Sequence, residues 1–326
     1  MLHVFGRAPG RAFLKGMQVG FIGLGHMGQH MARHVAEAGH DVAGFDLRPE
    51  ATAQLVQTPH ARRAASVAEA ASGADVVFTS LPGPPEVEGV AAGPDGILDS
   101  LPPGGIYIDL SSNSPSLVRR LHAAFAERGL AMLDAPVAGG VEGARAATLS
   151  VMVGGDRAAF ERVRPVLSAI GSKVFYCGPS GNGAITKLCN NLCSQAQIAA
   201  AGEILSLGVR AGVDLETLAS VIGVSTGSCR AIVETFPRQL FRRNFENPGF
   251  TTVLSAKDTH LAIELAHELG VPLPIGEIVE RDKQEALRRG WGPLSVDVFV
   301  RLQEERAGVV LELPSETAMT RPASAV

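Results

Sequence analysis

The chain has 326 residues, 46 % of them hydrophobic and 19 % charged, which suits a folded protein large enough for two domains and excludes a disordered one. A net charge of -4, with basic runs as short as Arg242-Arg243 and Arg288-Arg289, argues against nucleic acid or an anionic membrane as a partner. The longest apolar candidate for a membrane span, near Ala196 to Val209, is interrupted by Glu203. Cys177, Cys189, Cys193 and Cys229 form no Cys-x-x-Cys pair and have no histidine partners at zinc spacing. They read as buried free thiols in a reducing, cytoplasmic environment, and no metal site is expected.

Residues 1–16, with Arg7, Arg11 and Lys15 among Gly and Pro, read as a flexible extension, with Met17 an alternative start. From Gln18 a short apolar strand breaks into Gly23, Gly25 and Gly28 and passes into a helix that stops at Gly39. Gly-x-Gly-x-x-Gly between strand and helix is a dinucleotide-binding turn. The first glycine permits the bend, the second admits a pyrophosphate and the third lets helix pack on strand. With Leu24, His26 and Met27 between them, these glycines are expected to hold phosphates at a helix N-terminus.

A second strand ends at Asp46, about twenty positions past the fingerprint, where an acid bonds an adenosine ribose diol. Leu47 and Arg48 follow it. An acid there repels the extra phosphate of NADP, so NAD is the expected cofactor; Arg48, able to hold that phosphate, keeps NADP as the alternative. Buried strands recur at residues 74–82 and 105–111, each followed by a loop and a helix. The alternation predicts an α/β fold with a doubly wound, mainly parallel sheet. Ligands bind beyond the carboxyl ends of such strands, which places Leu81, Pro82, Ser111 and Ser112 toward the glycine loop. Another strand ends at Pro136-Val137 and opens into Ala138-Gly139-Gly140. The amides there carry no bulky side chains and suit a carboxylate, or make an ordinary glycine turn.

After Pro179, Gly181 and Gly183 a long helix is predicted as far as Leu207. Lys187 and Asn191 stand four residues apart on it and share a face. Ile185, Leu188, Cys189, Leu192 and Ile198 predict a mostly buried rod, in which an ammonium must shift its pKa or find a partner. Beyond it, breaks at Gly212, Gly223 to Gly227, Asn247 to Gly249 and Gly270 to Pro274 separate further helices, with almost no strand signal. Lys257-Asp258 is expected to begin a helix reaching Leu269. The predicted domains are residues 17–179, a dinucleotide-binding domain, and 180–313, all helical, followed by a loose tail at 314–326. His26, His260 and His267 rank below Lys187 as bases.

In order along the chain stand Gly-Phe-Ile-Gly-Leu-Gly-His-Met-Gly, Asp-Ala-Pro-Val-Ala-Gly-Gly, Thr-Leu-Ser-Val-Met-Val-Gly-Gly, Gly-x-Gly-x-x-x-Lys-x-x-Asn-Asn and the stretch from Phe250 through Lys257-Asp258 to Pro274. From Met17 to about Pro274 the chain resembles the β-hydroxyacid dehydrogenase family. The resemblance implies a Rossmann-type domain, a long linking helix and an all-α C-terminal domain. It implies Lys187 as general acid/base and Asn191 as its catalytic partner and substrate ligand. Ala138, Gly139, Gly140 and Ser111 would bind the substrate carboxylate and its surroundings. Gly23 to Gly28, Asp46, Leu47, Arg48, Leu81, Pro82 and Ser112 would contact the cofactor, and Lys257 would close over cofactor and active site.

The implied reaction moves a hydride between a small 3-hydroxy acid, 3-hydroxyisobutyrate-like, and NAD, giving a semialdehyde. The alternatives are an NADP-linked reductase of short semialdehydes, of the tartronate or succinate type, and a non-catalytic dinucleotide-binding scaffold. Two positions depart from the pattern: Ala138 replaces a serine, and Glu86 stands where an asparagine often touches the cofactor. The largely apolar helical half is expected to form a homodimer or homotetramer.

Overall fold

In the computed structural model, which describes residues 16–313, the chain divides into two compact units with the boundary between Lys187 and Leu188. The expected extension up to residue 15 and the tail from residue 314 lie outside the described residues.

The first unit alternates as the sequence predicts. It begins β1 (Gln18–Ile22), α1 (Gly28–Glu37), β2 (Asp41–Phe45), β3 (Ala61–Arg63), α2 (Val67–Ala71), β4 (Val76–Thr79), α3 (Pro84–Ala92) and α4 (Ile97–Ser100). It continues β5 (Ile106–Asp109), α5 (Pro115–Glu127), β6 (Ala131–Asp134), β7 (Val137–Ala138), α6 (Gly140–Arg145), β8 (Ser150–Gly155), α7 (Arg157–Ile170) and β9 (Lys173–Gly178). The sheet order is β3-β2-β1-β4-β5-β6-β8-β7, with β9 on β8. Neighbours from β3 to β6 are parallel, while β8 lies antiparallel to β6 and β7.

The chain winds outward from β1 in both directions. Right-handed crossovers therefore put helices on both faces, and the loops after β1 and β4 part to leave a crevice at the carboxyl ends of the strands. The strand residues alternate between two cores. Val19, Phe21, Val76, Phe78, Ile106 and Ile108 pack with α1 and α7, whereas Ile22, Val77 and Tyr107 pack with α2, α3, α4 and α5. Burial on both faces is why β4 and β5 read as apolar runs up to their last residues, Thr79 and Asp109.

Helix α8 (Asn182–Arg210) carries the chain into the second unit. There follow α9 (Leu215–Val224), a π-helical turn at Ala231–Thr235 leading into α10 (Phe236–Arg238), then α11 (Thr252–Leu269), α12 (Pro274–Arg288) and α13 (Val300–Ala307). Ile198, Ala201 and Leu205 of α8 pack with Leu215, Phe236, Phe241, Phe299 and Leu302. The extended pairing described in this half is an isolated bridge between Thr251 and Ser295.

Three expectations need correction. Helix α11 begins at Thr252, not at Lys257: Thr251 caps it by accepting from Leu254 N, so Lys257 sits within the second turn. Cys189 and Cys193 are exposed rather than buried, and Cys177 and Cys229 are half-buried. Spaced by one turn, Cys189 and Cys193 share a face of α8 opposite to the one Leu188 and Asn191 bury, which apolar composition alone does not resolve. Lys187 is likewise half-buried, so the rod is less enclosed than its neighbours suggest. Among the described residues no helix is long and apolar enough to cross a membrane.

Candidate active site

The turn after β1 is built for close approach. Gly23 has φ +89°, in the left-handed region, and Gly28 is packed so closely that a Cβ there would fall inside contact distance of Gly23 O. The first turn of α1 thus rests on the loop. A Cβ at Gly25, by contrast, would meet only an Arg48 guanidinium nitrogen, 3.8 Å away. Met27 at the N-cap of this ten-residue helix makes no side-chain hydrogen bond, and the first turn carries no acid. A helix start without a side-chain cap, with its dipole behind a glycine that has open space in front, fits the pyrophosphate of a dinucleotide. Leu24 is buried beneath the loop and His26 is exposed.

Asp46 follows β2 and ties that strand to the loop. Its Oδ2 accepts from Leu24 N at 2.8 Å and its Oδ1 from Arg48 N at 2.9 Å. Partial burial disfavours the carboxylate, but these two amides and the Arg48 guanidinium outweigh it and hold the pKa below the usual aspartate value. Asp46 is therefore ionised at neutral pH, as a ribose-diol acceptor must be. Leu47 beside it is 89 % exposed, and Arg48 is also exposed.

The loops after β4 and β5 are locked to one another. Leu81 N donates to Ser111 Oγ, Ser111 N donates to Asp109 Oδ1, and Thr79 Oγ1 donates to the same oxygen, while Asn113 Nδ2 donates to Asp109 Oδ2. Ser111 is buried, so its hydroxyl first serves to brace the Leu81 loop; Pro82 stands exposed at the edge of that loop. Burial pushes the Asp109 pKa up, against the hydrogen bonds from Asn113, Ser111 and Thr79.

Strand β6 runs through Asp134 into the predicted glycine turn. Ala138 pairs with Ser150, Gly139 has φ +135° and Gly140 has φ +64°, and both glycines are exposed. Asp134 is 1 % exposed, and each of its oxygens accepts from the start of α8: Oδ1 from Gly181 N at 2.9 Å and Oδ2 from Ala184 N at 2.8 Å. Burial raises its pKa to about 6 despite those amides. Because the folded value lies above the ordinary aspartate value of 3.8, the stabilising contribution is complete below that value and is lost as pH rises through about 6. At neutral pH the ionised group costs on the order of 3 kcal/mol of stability.

Lys187 lies in the second turn of α8, and Asn191 follows four residues later on the same face. Asn191 is 8 % exposed. Its Nδ2 donates to Asp258 Oδ2 at 2.5 Å, its Oδ1 accepts from Asn190 Nδ2, and Asp258 Oδ1 stands 3.1 Å from Lys257 Nζ. The amide orientation is thereby fixed, with one N–H used by Asp258. Two of the three rival histidines are engaged by carboxylates: His260 pairs with Glu264 and Glu280, and His267 with Glu277. Among the described residues no cluster of His, Cys, Asp and Glu suits a metal ion.

Asp109, Asp134 and Asp258 are the structural supports that the sequence reading does not single out. For the first two a signal exists, an acid as the last residue of an otherwise apolar strand. For Asp258 it is an acid directly after a lysine on a helix with a buried face.

Comparison with known proteins agrees with this fold. Residues 18–178 match the family described as the NAD binding domain of 6-phosphogluconate dehydrogenase, and residues 181–302 match that described as NAD-binding of NADP-dependent 3-hydroxyisobutyrate dehydrogenase. The 2-(hydroxymethyl)glutarate dehydrogenase of Eubacterium barkeri is 36 % identical over 295 residues, 90 % of this chain and 97 % of that protein. The NAD-dependent L-serine dehydrogenase of Pseudomonas aeruginosa is 37 % identical over 300 residues, 89 % of this chain and 99 % of that protein. Among solved structures, Mycobacterium tuberculosis 3-hydroxyisobutyrate dehydrogenase with L-serine aligns with a TM-score of 0.79 and 33 % identity, covering 88 % of this chain and 99 % of that one. The chain therefore belongs to the β-hydroxyacid dehydrogenase family and is an NAD(P)-dependent hydroxyacid dehydrogenase.

Proposed function

We propose that the chain oxidises the primary hydroxyl of a small 3-hydroxy acid to the semialdehyde with NAD, and that Lys187 exchanges the hydroxyl proton. The observation carrying this reading is the placement of Lys187 and Asn191 on one face of α8, with the Asn191 amide held by Asp258. The similar dehydrogenases act, by their names, on 3-hydroxyisobutyrate, L-serine and 2-(hydroxymethyl)glutarate. All three molecules carry a hydroxymethyl group on the carbon next to a carboxylate. That shared unit is the proposed recognition element here.

The roles follow from the chemistry. NAD supplies the hydride acceptor. Lys187 takes the proton from the hydroxyl in oxidation and returns it to the carbonyl oxygen in reduction. Asn191 donates its second N–H to that oxygen and keeps it in line. The amides from Ala138 to Gly140 hold the carboxylate, and Ala138, lacking a hydroxyl, leaves this hold to the backbone. Asp46 binds the ribose diol, Leu47 offers the adenine an apolar face, and Leu81, Pro82, Ser112 and Lys257 complete the cofactor contacts.

Asp46→Ser is expected to raise the KM for NAD at least about tenfold, since a charged acceptor contributes roughly 1.5–3 kcal/mol, and to shift preference toward NADP now that Arg48 is unopposed. Paired rates with the two cofactors measure this. A variant as selective for NAD as the wild type would remove Asp46 from that role.

Ile204, Leu207, Val221 and Val224 leave their apolar side chains exposed in the helical unit, which supports the expected homodimer or homotetramer. Sedimentation of the purified protein should give two or four times the chain mass of 34.0 kDa. A monomer at micromolar concentration would contradict it.

The reaction itself is tested by initial rates with 3-hydroxyisobutyrate, L-serine, 2-(hydroxymethyl)glutarate and 4-hydroxybutyrate, each with NAD and with NADP. Turnover of the first three types with NAD is the expected result. Turnover of only 4-hydroxybutyrate, or of any of them only with NADP, would favour the semialdehyde-reductase alternative. Tight NAD binding with no turnover would favour a scaffold.

A further inference from the structure

We propose that Asp134 is a positioning residue for Lys187. It clamps the first turn of α8 to the end of β6 and thereby fixes where the helix carries the lysine. The proposal rests on the reading of Lys187 as the proton-exchanging group.

The clamp is two-pronged and long-range. Both carboxylate oxygens are spent on α8, one on the amide of Gly181 and one on that of Ala184, 47 and 50 residues further along the chain. Ala184 and Lys187 are about one helical turn apart, so a shift of the clamped turn carries the lysine with it. Four residues beyond Asp134 the same strand has become the turn of Ala138, Gly139 and Gly140. One side chain thus joins the segment proposed to hold the substrate carboxylate to the helix proposed to hold the base.

The surrounding glycines make room for this and for nothing else. A Cβ at Gly154 would stand 2.6 Å from Asp134 Oδ1 and 2.7 Å from Gly183 N. A Cβ at Gly183 would stand 2.6 Å from Asp134 O and collide with Met152 O. Gly181 has φ +89°, which lets its amide turn back toward the carboxylate. Gly181, just before the helix, and Gly183, in its first turn, therefore serve the clamp. A hydrophobic anchor would hold the helix against the sheet, but it would not fix its height to a fraction of an ångström, as two opposed hydrogen bonds to one rigid group do.

The test compares wild type, Asp134→Asn, Lys187→Ala and the double variant, assayed with NAD and L-serine or 3-hydroxyisobutyrate. Hydrogen exchange is followed at residues 181–185 and, as reference, in β4. Asparagine keeps the size but offers one acceptor oxygen, and its Nδ2 opposes an incoming N–H. The expected result is a kcat reduced at least about tenfold, as a small misplacement of a catalytic group produces. The KM for NAD should stay within twofold, exchange at Gly181 and Ala184 should accelerate, and β4 should be unchanged. The double variant should be no slower than Lys187→Ala alone.

Unchanged kcat with unchanged exchange would overturn the proposal, and so would losses that multiply in the double variant. If Lys187→Ala retains full activity, the reading of Lys187 falls, and exchange at Gly181 and Ala184 alone then decides whether the clamp exists. Should Asp134→Asn fail to fold, Gly154→Ala keeps the carboxylate and wedges it from the helix; it is expected to lower kcat in the same way, and wild-type kcat in that variant would equally overturn the clamp.

Discussion

Replacing Gly28 by alanine is expected to abolish useful NAD binding and to destabilise the first unit. The added Cβ would meet Gly23 O inside contact distance, Gly23 C at 3.0 Å and Phe21 Cε1 at 3.4 Å. The first two are backbone atoms, which no rotamer change removes, so either α1 lifts off the loop or the loop abandons its turn. Overpacking of this kind costs about 1–3 kcal/mol in a core, and backbone collisions lie at the upper end. Either movement takes the N-terminus of α1 away from the place proposed for the phosphates. We expect the Kd for NAD to rise at least about a hundredfold, equivalent to roughly 3 kcal/mol. Gly89→Ala is the control: it is exposed in α3, a Cβ there meets nothing within 4 Å, and it should stabilise the protein by about 1 kcal/mol or less. Calorimetric titration of NAD into both variants measures the difference. Wild-type affinity in Gly28→Ala would mean that the loop does not hold the pyrophosphate.

Lys187→Ala carries the second large effect. If Lys187 acts as the proposed general acid/base, its removal lowers rates by about 10²–10⁴, and the loss should appear in kcat, since the nucleotide loop, Asp46 and the Leu81 brace are untouched. The KM for NAD should therefore stay near wild type. Lys187→Arg should not rescue, because a guanidinium does not give up its proton near neutral pH and presents its donors in a different plane. Asn191→Ala is expected to be milder in chemistry, yet it strands Asp258 Oδ2, whose hydrogen bond comes from Asn191 Nδ2, and so should also lower thermal stability.

How much of this was legible in the sequence depends on the range of the interaction. The glycine fingerprint, the acid closing β2 and the Lys187/Asn191 face are local patterns, governed by a turn, a strand end and a helical period. The structure puts all of them in the predicted local settings. The doubly wound sheet was legible for the same reason, since β4 and β5 are apolar up to their last residues, Thr79 and Asp109. By contrast, β3 reads Ala-Arg-Arg and lies at the sheet edge, where charge is tolerated and no apolar pattern is imposed.

The supports of the site were not legible. Asp134 meets α8 across 47 and 50 residues, Asp109 meets Thr79 across 30, and Asp258 meets Asn191 across 67. Such pairs exist only after distant elements have packed together, and no spacing rule announces them. The misjudged cysteines fail for a related reason. The apolar neighbours of Cys189 and Cys193 predict a buried helix, but only the three-dimensional packing decides which stripe of α8 is covered.

The most direct measurement is the fate of the carbinol hydrogen. The wild-type protein is incubated with NAD and 3-hydroxyisobutyrate or L-serine carrying deuterium on the hydroxymethyl carbon, and the reduced cofactor is weighed by mass spectrometry. Transfer of deuterium to the cofactor, much slowed in Lys187→Ala, is the predicted result. Reduced cofactor without deuterium, or no reduced cofactor from any hydroxymethyl carboxylate while NAD still binds, would contradict hydride transfer from a 3-hydroxy acid.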